Sequence, residues 1–172
     1  MGKRILIVIA QHRFRDEEFE HPKAVFAQKG FTVTVAAPEK KEATGMKGAK
    51  VMPDLSIADA ATQQYDAVVV VGGGGAREDL WNNRTLFNIL NAHHAAGKPV
   101  AAICIAPVAL AHAGLLKGIS ATVYKEPDTL AEFAKHGAKL EEKDVVVSGR
   151  IVTANGPAAA RQFGQAVAAL LA

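Results

Sequence analysis

The chain holds one cysteine, Cys104, in the run Val100-Ala101-Ala102-Ile103-Cys104-Ile105-Ala106-Pro107. The apolar residues before it have the character of a short buried strand. Pro107 suits the first turn of a helix, where its missing N–H would have no partner anyway. A thiol at such a strand-to-helix corner has the setting of a nucleophile elbow, projecting from the edge of a sheet. Ala101, Ala102 and Ala106 let backbone pass close to backbone there. Unpaired amides and the positive end of the helix dipole favour thiolate, so a pKa below that of a free cysteine is expected. The same amides suit an oxyanion or the oxygens of an oxidised sulfur. The competing reading is an inert buried thiol acting as a small hydrophobe, and the corner position argues against it.

Two other segments carry residues that can serve this thiol. The glycines Gly72 to Gly75 follow a valine-rich strand and can expose backbone N–H groups to a ligand, or simply turn the chain. They lack the spacing of a phosphate loop or a dinucleotide fingerprint. The segment Phe14-Arg15-Asp16-Glu17-Glu18-Phe19-Glu20-His21-Pro22 places four carboxylates in five positions. Burying one of them would raise its pKa, and a protonated carboxyl can donate to a thiolate. Read by itself, the segment suits a solvated acidic first turn that complements a helix dipole.

The elements that must position these groups alternate between strand and helix. Arg4–Ala10, Phe31–Ala37, Asp66–Val71, Pro99–Ile103 and Ser120–Tyr124 read as strands. Helices are expected from Pro22 to Gly30, Thr85 to Ala96, Pro107 to Leu116, Asp128 to His136 and Ala158 to Leu171. Pro38 to Lys50 reads as a loop or an edge hairpin. Val145–Ser148 and Arg150–Thr153 flank Gly149 as a hairpin. This order predicts an α/β fold: a flavodoxin-like three-layer sandwich with a mostly parallel central sheet, helices on both faces and a nucleophile elbow. Ligands in such folds bind beyond the carboxyl ends of the strands. Gln11–Glu20, Gly72–Asp79 and Cys104–Pro107 leave strands in unusual ways and belong there.

Composition bounds the rest. The 172 residues fit one domain spanning 1–172, and 49% are apolar, enough for a core without metals or disulfides. A net charge of +3 with interleaved signs excludes a specific nucleic-acid surface. No apolar run is long enough to cross a membrane, no leader is evident, and a lone cysteine suits a reducing, cytoplasmic setting. No His/Cys/Asp group has metal-ligand spacing in the sequence, so neither metal nor cofactor is expected.

Together these segments resemble the ThiJ/PfpI family, within the class I glutamine amidotransferase-like superfamily. That family includes intracellular-protease-like proteins, protein deglycases and glutathione-independent glyoxalases. The markers are Ala101-Ala102-Ile103-Cys104-x-x-Pro107, Gly72-Gly73 after a valine strand, Asp16-x-Glu18 ahead of Pro22, and Asn155-Gly156-Pro157 before the last helix. The resemblance implies that Cys104 is the nucleophile or redox thiol. It implies that Glu18 is a protonated carboxyl hydrogen-bonded to the sulfur, and that the amides of Gly73 and Ile105 form an oxyanion pocket. It also implies a homodimer or larger homo-oligomer, with Asn155, Gly156 and Pro157 near the partner's Cys104.

Two departures from the family pattern bear on activity. Protease-like members carry histidine directly after the nucleophile, where this chain has Ile105; a Cys-His dyad for peptide cleavage is therefore missing. Other members supply a histidine from the strand after the elbow helix, where Tyr124 stands, and a phenol is a poor base near neutrality. His12 and His21 lie near the acidic segment, and Glu78 is an auxiliary candidate reaching a neighbouring subunit's site. The leading expectation is a cysteine enzyme acting on electrophilic carbonyls, glyoxalase- or deglycase-like, in stress protection. The alternatives are a non-catalytic oxidative-stress sensor or chaperone-like protein, a peptidase or amide hydrolase (disfavoured by Ile105), and a flavodoxin-like small-molecule binder.

Overall fold

The computed structural model describes residues 2–172. In chain order the strands and helices are β1 (Arg4–Val8), β2 (His12–Phe14), α1 (Asp16–Gln28), β3 (Thr32–Ala37), β4 (Ala43–Gly45), β5 (Lys50–Val51), β6 (Leu55–Ser56) and α2 (Ile57–Ala60). They continue with β7 (Ala67–Val70), α3 (Ala76–Asp79), α4 (Arg84–Ala95), β8 (Val100–Ile103), α5 (Pro107–His112), β9 (Ser120–Ala121) and α6 (Pro127–Lys135). The chain ends through β10 (Lys139–Leu140), β11 (Val145–Ser148), β12 (Ile151–Ala154), a 3₁₀ turn (Pro157–Ala159) and α7 (Ala160–Ala169).

Seven strands form the central sheet in the order β11-β12-β8-β7-β1-β3-β6. Every pairing is parallel except β11 with β12, which is the hairpin expected around Gly149. β1, β7, β8 and β12 carry almost unbroken runs of buried Val, Ile, Leu and Ala, as strands covered on both faces must. Helices α1 and α7 pack on each other, and α4 packs on α2, α5 and the strands β7 and β8. The α1–α7 contact is close because Gly164 has no side chain: a Cβ there would lie 2.9 Å from Pro22 Cα.

Chain order reverses direction across the sheet between β1 and β7, which is where such folds place a ligand crevice. The adjacent strands β1, β7 and β8 deliver their following loops to one edge. Val8 is level with Val70, Val70 with Ala102, and Ile103 with Ala154. The acidic segment, the glycines and the cysteine are thus brought together by register.

Four expected elements differ. α1 begins at Asp16 rather than near Pro22, so Pro22 lies inside the helix and leaves the Glu18 carbonyl without its i+4 amide. α5 stops at His112, because Gly114 takes a φ of +87° and Leu115 N–H returns to the Leu110 carbonyl at 3.0 Å, a glycine-type cap. The strand expected over Ser120–Tyr124 keeps ladder pairing only at Ser120–Ala121, with β10. Its remaining amides go elsewhere: Thr122 N–H to Thr153 Oγ1 (3.0 Å) and Tyr124 N–H to the Cys104 carbonyl (2.8 Å). Finally, part of the polar stretch after β1 is itself a strand, β2, which joins the β4–β5 hairpin in a small sheet.

Candidate active site

Cys104 sits at the corner between β8 and α5 with φ +65°, a left-handed conformation that is uncommon and costly for a residue with a side chain. The surroundings hold it there. Its amide donates to the Ala154 carbonyl at 2.9 Å, and its carbonyl accepts from Tyr124 N–H at 2.8 Å. The bend turns the side chain to the sheet edge, where the thiol residue is 8% exposed. The backbone amides of Gly73 and Ile105 are directed at the sulfur.

The glycine run makes room for this contact. A Cβ on Gly72 would stand 2.6 Å from the Ile103 carbonyl oxygen, 2.7 Å from Cys104 Cβ and 2.7 Å from Glu18 Oε1. Gly73 has φ +104°, and a Cβ there would meet the Arg15 amide nitrogen at 2.4 Å. Glycine at both positions is what lets β7's exit touch β8's elbow and α1's first turn together.

The four carboxylates of the acidic segment have four different fates. Asp16 accepts from the Lys47 and Ala49 amides (3.0 and 2.9 Å) and pins the loop between β4 and β5. Glu17 takes a paired contact from the Arg15 guanidinium (3.1 and 3.0 Å), which holds its pKa down to about 2. Glu20 is exposed to solvent. Glu18 is fully buried, with Oε1 accepting from Gly72 N–H at 3.1 Å and Oε2 without a nitrogen or oxygen partner among the described residues. Burial pushes Glu18 up to about 8, against the opposing pull of the Cys104 thiol and the Gly72 amide.

The thiol is displaced in the same direction. Burial first, and then the neighbouring Glu18, push Cys104 above the ordinary cysteine value, while the Gly73 and Ile105 amides pull it back. A depressed thiol pKa at the helix start, expected from the sequence, is therefore reversed. The amides are present, but the cost of desolvating the anion outweighs them. Two adjacent acids that each resist ionisation form one coupled unit, in which Glu18 is pushed up to about 8 and the thiol is raised further.

Cys104 opens into a cavity of about 390 Å³ lined also by Gly73, Ile105, Tyr124, Arg15 and Arg77. Met46, Gly74, Glu126 and Pro157 complete the lining. Of the sequence candidates, Cys104, Glu18, Gly73, Ile105 and Tyr124 are brought together. His21 is exposed on α1 and is not part of the lining, and His12 is exposed and hydrogen-bonds Thr44. Glu78 is exposed and ion-paired with Arg13 at 2.6 Å, outside this cavity. Pro157, expected near a partner's thiol, lines the cavity of its own chain.

Arg77 was not legible as a site residue. It is held by Glu126 (3.0 Å) and Asp128 (2.7 Å) at the start of α6, and its guanidinium lies 5.3 Å from the Trp81 ring centre. Those partners are some fifty residues away, so nothing local announces them. The sequence shows no metal-ligand spacing, yet three ligand-type side chains meet in space. His112, Glu132 and His136 converge at the far end of α5, with ligand atoms all within 4.8 Å of one another. The i, i+4 pair on α6 was the available signal, and His112 joins it only through packing.

The sequence profile of the DJ-1/PfpI family matches residues 3–170. An uncharacterized protein of Methanocaldococcus jannaschii is 45% identical over 161 residues, covering 94% of this chain and 78% of that one. A protein of Pyrococcus horikoshii named as a deglycase is 31% identical over 153 residues, covering 89% of this chain and 90% of its own. Among solved structures, a ThiJ/PfpI domain protein from Brachyspira murdochii superposes with a TM-score of 0.92 at 32% identity, covering 99% of this chain and 96% of that one.

Proposed function

The chain belongs to the DJ-1/PfpI family, and from that premise we propose that it is a cysteine-dependent enzyme acting on small electrophilic carbonyls, 2-oxoaldehydes or their adducts, in stress protection. The observation that carries this reading is a strained thiol that opens into a cavity and has behind it a buried carboxyl whose pKa lies near 8. A base is most effective when its pKa is close to the working pH. Glu18 thus fills the place of the absent histidine.

In the first step the Cys104 sulfur adds to the aldehyde carbon, a C–S bond forms and the carbonyl π bond opens. The thiol proton passes to the Glu18 carboxylate and from there to the new oxyanion, giving a neutral hemithioacetal. The amides of Gly73 and Ile105 are the nearest donors for the developing negative charge. For a 2-oxoaldehyde the net change, addition of water to give a 2-hydroxy acid, is redox-neutral and needs no electron carrier. The cationic lining groups Arg15 and Arg77 are both ion-paired, which suits an uncharged substrate better than a phosphorylated one. The relative from Pyrococcus named as a deglycase favours the same chemical class. Peptide cleavage is disfavoured, because Ile105 stands where a dyad histidine would be.

Consumption of methylglyoxal by the wild type and by Cys104→Ser tests the reading. Loss of turnover in the variant is expected, and equal rates would remove it. A second reading, an oxidation sensor, draws on the amides that face the sulfur and would bind sulfinate oxygens. Two equivalents of peroxide would convert the thiol to sulfinic acid with release of two waters. Mass spectrometry should then find the two-oxygen adduct on Cys104 before oxidation of the exposed Met46 and Met52. A cytoplasmic setting, and a homo-oligomer in which the Asn155-Gly156-Pro157 turn also borders the partner's cavity, belong to this proposal.

A further inference from the structure

We propose that His112, Glu132 and His136 form a binding site for a divalent transition-metal cation of the zinc class, separate from the thiol cavity. Glu132 and His136 are four residues apart and so share a face at the end of α6. His112 is the last residue of α5, and the two helices pack together. All three side chains are partly buried, so a cation from solvent can reach them.

The convergence of three ligand-type side chains is the observation that carries this reading, and the hydrogen bonds at His112 show which of its nitrogens faces the cluster. Its Nδ1 lies 2.7 Å from the Trp81 carbonyl oxygen, which can only accept, so Nδ1 carries the hydrogen. Its Nε2 then faces Glu132 Oε1 at 2.5 Å. That separation is a hydrogen-bond distance, bridged by a shared proton, which a metal ion would displace as the two atoms move apart.

A proton would account for His112 and Glu132 alone. The ring of His136 has also been brought to the same point, 4.8 Å from the His112 ring centre. Two imidazoles and one carboxylate are a donor set for zinc, which prefers nitrogen and oxygen ligands at about 2.0–2.2 Å. Around such an ion, ligand atoms stand roughly 3–3.5 Å apart. Binding therefore requires the His112–Glu132 pair to open from 2.5 Å and the wider separations, up to 4.8 Å, to close. Three protein ligands leave a fourth position for water.

The Trp81 carbonyl supplies the outer hydrogen bond that fixes a ligating histidine's tautomer and aims its other nitrogen. The indole of the same Trp81 donates to the Ile105 carbonyl at 2.9 Å. Two hydrogen bonds therefore connect this site to the residue whose amide faces the Cys104 sulfur.

The test is titration of the EDTA-treated full chain with Zn²⁺ by calorimetry, with Co²⁺ absorption as a second readout. One equivalent is expected to bind, and Cys104→Ser should bind it equally well. Glu132→Gln and His136→Ala should each weaken binding by about tenfold or more. His136→Gln serves as the milder variant should the alanine form fail to fold. The Co²⁺ complex should show visible d–d bands and no thiolate charge-transfer band. Absence of uptake at millimolar zinc would overturn the proposal. So would binding that vanishes in Cys104→Ser and survives in Glu132→Gln and the His136 variant.

Discussion

The short helix α5 separates two carboxyl-centred sites with opposite electrostatics. Before its first turn, Glu18 and Cys104 face each other with no cation between them. At its last residue, Glu132 faces His112, and His136 stands beside them. Both carboxyl groups are removed from bulk water to different degrees, so burial alone does not set their behaviour. Glu132 meets the His112 imidazole at 2.5 Å, whereas Glu18 has one amide and a thiol. A carboxyl without charge compensation keeps its proton, and one with it can remain an anion. Glu17 makes the point on a smaller scale. One residue from Glu18, with Arg15 on it, it is displaced the other way.

The largest test of this contrast is the pH dependence of stability. In the folded chain Glu18 titrates at about 8, and in the unfolded chain near 4.5. Between those values the folded state holds a proton that the unfolded state has released, so stability falls as pH rises through this window. The loss is on the order of 5 kcal/mol for the shift involved. Denaturation of the wild type at pH 5 and pH 8 should show it, and Glu18→Gln should remove most of the slope. Parallel slopes would mean that Glu18 is not the buried acid described.

Next in size is Gly72→Ala, which drives a methyl group against the Ile103 carbonyl, Cys104 and Glu18 at once. A loss of about 1–3 kcal/mol is expected from such overpacking, together with slower alkylation of Cys104. A stable variant with unchanged thiol reactivity would show that the two strand exits are not tightly apposed. Smaller still is Glu132→Gln at the other end of α5. The amide keeps an oxygen acceptor for the His112 contact but loses its charge, and should cost about 1 kcal/mol. An unchanged stability would show that the carboxylate charge contributes nothing at this end of α5.

Much of this arrangement was legible in the residues. The parallel sheet followed from uninterrupted Val/Ile runs alternating with helices, and the elbow from a cysteine between Ile103 and Pro107. Glycine at 72 and 73 marked where backbones meet. The acidic segment was harder. Four carboxylates in a row look alike in sequence, and only packing turned Glu18 inward while Asp16 pinned a loop and Glu17 found Arg15. The sign of the thiol shift was misjudged, because helix-start amides are visible in sequence and the depth of burial is not. Arg77, Glu126 and the joining of His112 to the Glu132–His136 pair depended on contacts between distant segments, α6 folding back on α3 and α5, which no local pattern records.

Cys104 and Glu18 share a proton that burial holds on the pair until Glu18 ionises near pH 8. Alkylation rates of Cys104 measured across pH report that step. The wild type should show an inflection near 8, and Glu18→Gln should move it above 9, since burial then opposes the thiolate with no carboxylate to take its proton. An inflection well below neutrality, or one that Glu18→Gln leaves in place, would contradict the account.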